Sequence, residues 1–120
     1  MEFEEIPEFQ RDIKQLLKKF RTLRDDLEVL KKVLSSQGFN HPQPPFSFRI
    51  ADLGFDSPSV IKIKKISSKS LKGKGSKTGL RLIYAFYPER NLIKFIEIYF
   101  KADQENHDSD RIFRQIGLTA

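Results

Sequence analysis

The chain has 120 residues, with 22 Lys and Arg against 16 Asp and Glu, 11 Phe and no Cys or Trp. That length encloses one core and not two, and the lack of thiols excludes disulfides, thiolate metal sites and a cysteine nucleophile. With 38% hydrophobic residues a wholly disordered basic arm is excluded as well.

The surplus charge is local. From Ser57 to Pro88 there are eight basic residues (Lys62, Lys64, Lys65, Lys69, Lys72, Lys74, Lys77 and Arg81) and no acidic one, leaving 14 basic against 16 acidic elsewhere, so +8 and −2 make the net +6. Like charges crowded into one segment oppose the compact state, and a polyanionic partner that neutralises them, nucleic acid foremost, accounts for the clustering. Met1 to Glu5 is acidic and lacks the layout of a secretion signal, and no apolar run approaches a membrane span, so the expectation is a soluble protein of the cytoplasm.

In chain order, Phe3 and Ile6 among glutamates suggest a short opening strand, and Pro7 suits a helix entry. Phe9, Ile13, Leu16, Leu17 and Phe20 line one helical face, with Arg11, Lys14, Lys18 and Lys19 elsewhere on it. Thr22 with Asp25 resembles a capping box, and Leu23, Leu27, Leu30 and Leu34 continue an apolar stripe to Gly38, which predicts a second helix and an antiparallel helix hairpin. The proline-rich stretch Gly38 to Pro58 reads as a crossing loop with a brief strand near Phe46 to Ile50. Val60 to Ile66 reads as a strand that extends toward Leu71. Lys72 to Gly79 is a glycine-rich hairpin loop, Leu80 to Tyr87 a strand, Pro88 to Asn91 a turn and Leu92 to Phe100 an interior strand. A short C-terminal helix spans Ser109 to Ile116 and stops at Gly117. The expected fold is α+β in one domain over residues 1–120: the helix hairpin packed on a small antiparallel sheet of three to four strands, with the short terminal helix.

Strand alternation places Arg81 on one side with Ile83, Ala85 and Tyr87, gives Lys94 the opposite parity to Glu97, and sets Glu97, Tyr99 and Lys101 on one face. If the two strands pair, Arg81, Glu97, Tyr99 and Lys101 converge. Arginine forks onto phosphate oxygens, lysine supplies a charge or a proton, glutamate a base, or a partner that orients Arg81, and tyrosine a stacking ring. Such a set suits metal-independent cleavage of RNA, whose own 2′-hydroxyl is the nucleophile. Alternatives stand beside each role: a solvated lysine face, a structural Arg81–Glu97 pair, and tyrosines that simply pack. His41, before a proline, reads as a surface residue, and His107 as a secondary acid–base candidate. Two distant histidines make no metal site, and the loop Gly73 to Gly79 lacks the glycine spacing of a nucleotide-binding loop. No metal or small-molecule cofactor is expected.

The segments PEFQRDIKQLLKKFRTLRDDL at 7–27, LKGKGSKTGLRLIYAF at 71–86 and IKFIEIYFKAD at 93–103 resemble, in order and spacing, the RelE/ParE family of toxins from bacterial toxin–antitoxin systems. The resemblance runs from about Phe3 to Ile116 and is most specific at Gly79–Tyr84. It implies a ribosome-dependent endoribonuclease (an mRNA interferase that inhibits translation) with a cognate antitoxin, the ribosome and mRNA as partners. It also allows a ParE-like gyrase inhibitor without catalysis; a noncatalytic RNA-binding module is a third reading. On the nuclease reading Arg81 and Lys69 hold the scissile phosphate, Lys101 protonates the leaving oxygen and Glu97 acts as base or orients Arg81. Lys62, Lys64, Lys65, Lys72, Lys74 and Lys77 bind RNA backbones. The arginine and tyrosine that some RelE-type enzymes carry after the last strand have no equivalents in Lys101–His107, so Lys101, Glu97, Tyr99 or His107 is expected to take their place.

Overall fold

The computed structural model describes residues 1–71, 73, 75 and 77–116. The elements run β1 (Glu2–Glu5), α1 (Pro7–Leu16), α2 (Leu23–Ser36), β2 (Ser47–Arg49), β3 (Ser59–Ile63), β4 (Leu80–Tyr87), β5 (Leu92–Phe100) and α3 (Ser109–Gln115). The class is α+β as expected. The sheet, however, has five strands in the order β1-β5-β4-β3-β2 and is mixed, because β1 pairs parallel to β5 while every other pair is antiparallel. That pairing joins residues some ninety positions apart, and local patterning carries no information about such a partner.

The helices also sit differently from the expected hairpin. α1 ends at Leu16, four residues short of Phe20, where the N–H groups of Lys19 and Phe20 fold back onto the Leu16 carbonyl. It lies principally against β5, with Phe9 stacked on Phe95 at 5.2 Å. α2 buries Leu23, Leu27, Leu30 and Leu34 in the same core. Thr22 is its N-cap but not through a capping box: the hydroxyl donates to Asp26 Oδ2 (3.0 Å) and meets Ser70 Oγ (2.8 Å). Buried Asp26 accepts in addition the Lys69 N–H at 3.1 Å, which ties the chain after β3 to the start of α2. β3 therefore ends at Ile63, well before Leu71, and Ile66 forms an isolated bridge to Lys77.

β4 and β5 occupy the predicted ranges and meet across a short turn at Pro88–Arg90, with Asn91 in the left-handed region (φ 49°) that asparagine tolerates. Gly79, before β4, has φ 83°, and a Cβ there would stand 2.9 Å from the Phe100 ring, so glycine is required. Beyond β1 the outer edge of β5 is capped by side chains. The Ile98 N–H donates to Asp12 Oδ2 (3.1 Å), and Arg111 of α3 donates to Asp12 Oδ2 (2.6 Å) and to the Ile96 carbonyl (3.0 Å). A caps-and-covers arrangement of this kind satisfies a sheet edge that would otherwise invite pairing. α3 starts where Asp108 accepts the Arg111 N–H, and its predicted stop, Gly117, lies outside the described residues. Among the described residues no helix is long and apolar enough to cross a membrane.

Candidate nucleic-acid interface

Side-chain alternation divides the sheet into two faces. Tyr84 and Phe86 of β4 and Phe95 of β5 turn toward α1, α2 and the crossing loop, while Arg81 and Ile83 turn away. On that second face the register sets two rows. Phe48, Lys62, Ile83 and Glu97 stand opposite one another across β2, β3, β4 and β5, and Arg81 stands opposite Tyr99. A bulge at Ile96, where the register steps between Ile83 and Tyr84, moves Lys94 onto the face of Tyr87, its Nζ 5.4 Å from the ring centre, so the opposite parity of Lys94 and Glu97 does not separate them.

Lys62, Lys64, Arg81, Tyr99 and Lys101 line one polar cleft of about 240 Å³, closed on its far side by Glu105 and Asn106. The hairpin supplies Arg81 and Tyr99. Lys101 follows the end of β5, its N–H bonded to the Gly79 carbonyl. None of the four cations is ion-paired among the described residues; Arg81 Nη1 donates only to the Leu80 carbonyl (3.1 Å). The structural Arg81–Glu97 pair, one of the two readings of Arg81 from sequence, is not made among the described residues. Glu97 is buried, and its two oxygens accept from Gln104 Nε2 and from the Asp108 N–H, both at 2.8 Å. It fastens the 101–108 loop to the sheet, with each carboxylate oxygen accepting one of these bonds.

Three of the predicted lysines are elsewhere. Because the chain leaves the sheet after Ile63 and is held by Asp26, Lys65 and Lys69 border a groove against α2, with Val29, Val33 and Phe46, and do not reach the Arg81 cleft. Lys77 is exposed in the hairpin neck. Lys72 and Lys74 lie outside the described residues. His41 is not a surface bystander: it is half-buried, with Nε2 3.0 Å from the Gly38 carbonyl and Nδ1 2.7 Å from the Tyr84 hydroxyl. A carbonyl only accepts, so Nε2 carries the proton and Nδ1 accepts from Tyr84.

The electrostatics of the cleft follow from partial burial among like charges. Burial, then Lys64, Arg81 and Lys101, lower the Lys62 ammonium from its ordinary pKa against an opposing pull from Glu97. Burial, then Glu97, raise the Tyr99 phenol, with Arg81 opposing, so this ring stays neutral and able to donate. His107, beside the cleft, is lowered by burial and then by Lys62, with Asp108 opposing, and its Nδ1 is buried without a hydrogen-bond partner among the described residues. Chemically, the cleft offers a fork and three ammonium groups for phosphate oxygens, a neutral phenol, and in Glu105 a carboxylate proton acceptor. Glu105 and Asn106 were missed by sequence reasoning because they sit in an irregular loop, where periodicity says nothing about direction. No group of three His, Asp or Glu residues is placed to hold a metal ion among the described residues. Compared with protein-family models, curated proteins and solved structures, the chain finds no match.

Proposed function

We propose that this chain is the toxin of a toxin–antitoxin pair: a ribosome-dependent endoribonuclease that cleaves mRNA in the cytoplasm without a metal, held in check by a cognate antitoxin. The observation that carries the reading is the convergence on one cleft of Lys62, Lys64, Arg81 and Lys101, none of them ion-paired among the described residues. Four cations against the one carboxylate of Glu105 in a partly enclosed site are costly unless an anion completes them, and an RNA phosphodiester brings both the charge and, in its 2′-hydroxyl, the nucleophile. In the reaction the 2′-oxygen bonds to phosphorus as the bond from phosphorus to the 5′-oxygen breaks. Glu105 takes the hydroxyl proton and Lys101 gives one to the leaving oxygen. Arg81 and Lys62 face the oxygens on which charge accumulates, where preorganised donors have their largest effect. Lys69, on the α2 side, has no part in this scheme, and Glu97 positions the loop that carries Glu105.

Induced expression followed by mapping of mRNA ends tests the reading. The wild type arrests growth and yields cuts within translated codons, and Arg81→Ala, which removes a guanidinium bonded among the described residues to the adjacent Leu80 carbonyl, loses both by a factor of at least about 100, the scale of one lost charge-stabilising donor. Cutting by Arg81→Ala at the wild-type rate overturns the assignment, and a fall in gyrase supercoiling with intact mRNA overturns the activity.

A further inference from the structure

Phe48 stands at the border of the cationic cleft and is not needed by the core. It is 39% exposed on β2, an edge strand of three residues, while its neighbour Ser47 is fully buried and Arg49, on the other face, is engaged with Asp56. A single exposed aromatic is ordinary on any protein surface; what distinguishes Phe48 is its company. It lies directly across from Lys62, and the Lys64 ammonium is 5.0 Å from its ring centre. Both lysines also line the Arg81 cleft. Any anion drawn to Lys62 and Lys64 is thereby brought beside a partly exposed phenyl ring. β2 lies two strand spacings from Arg81 on β4, about 10 Å, which leaves room for a sugar and base to extend from a phosphate held between them.

Resting on the function proposed above, we propose that Phe48 is a stacking platform for the unpaired base of the RNA strand whose phosphate occupies the cleft. Lysines alone bind any polyanion. A ring set beside them selects, among polyanions, those that carry an exposed planar base, which is how single strands are distinguished from duplexes and from inorganic chains. The ring side of this surface thus confers preference for unpaired RNA, and the cation side confers affinity.

The test uses the full chain and two probes, a labelled single-stranded oligoribonucleotide and inorganic polyphosphate. Phe48→Ala weakens the oligoribonucleotide about tenfold, in the range of one lost stacking contact, and leaves polyphosphate within about twofold. Because the chain has no tryptophan, Phe48→Trp supplies a sole indole reporter at the site. Its emission is quenched by the oligoribonucleotide and not by polyphosphate. Equal binding of the oligoribonucleotide by wild type and Phe48→Ala, or equal weakening of both probes, overturns the stacking role while leaving the cleft assignment intact; that result marks Phe48 as a contact for a protein partner or a mere edge residue. A wild type that binds polyphosphate and not RNA overturns the proposed function itself.

Discussion

His41 shows how one side chain fixes both a protonation state and a loop. Its ring rests on Phe86 (4.5 Å between ring centres), gives its only proton to Gly38 and accepts that of the Tyr84 hydroxyl, which is fully buried and has burial as the cause of its raised pKa. A second proton on the ring would leave the Tyr84 O–H facing a donor, and burial accordingly lowers His41 from its ordinary 6.5, against a pull from Gly38. With the folded pKa depressed, the unfolded chain takes up the proton first. Stability is therefore complete above pH 6.5 and declines as the pH falls through the lowered folded value; His107, lowered likewise, adds the same sign. Urea unfolding at pH 7.5 and 5.5 checks this: the wild type loses stability over the interval, and His41→Gln, less stable at both, loses less. An unchanged pH response in the variant contradicts the neutral, inward-facing histidine.

At the scale of elements, the 101–108 loop and α3 depend on β5 through Glu97. Converting its carboxylate to an amide keeps one acceptor and sets an NH₂ against a donor, so Glu97→Gln is expected to destabilise the fold by about 1–2 kcal/mol, with faster exchange of the Asp108 amide. Full stability in Glu97→Gln would mean that the carboxylate is free for proton transfer after all. How much of this was legible follows from the range of each interaction. The stripe of α1 and the apolar runs of β4 and β5 are local patterns, and they placed Arg81 and Tyr99 on a common face correctly. Three features are not local. The parallel docking of β1 needs a partner far along the chain, the bulge at Ile96 reverses the parity on which Lys94 was separated, and the Asp26 tether turns Lys65 and Lys69 to the helix side. Glu97 read as a base because sequence shows a carboxylate but not the two donors that occupy it.

For the whole molecule, the strongly basic segment does not form one uniform lysine surface. Lys62, Lys64 and Arg81 join Lys101 on the outer face of the sheet, whereas Lys65 and Lys69 border the apolar groove of α2. The central claim is that the first set, and not the second, holds the RNA phosphates. Salt titration of binding to a single-stranded oligoribonucleotide is the most direct test, since each neutralised phosphate steepens the dependence of affinity on salt. Four contacts give a log–log slope of about −3. Arg81→Ala with Lys101→Ala is expected to reduce that slope by about half, and Lys65→Ala with Lys69→Ala to leave it unchanged; a slope that survives the first pair and collapses with the second would contradict RNA binding in the Arg81 cleft.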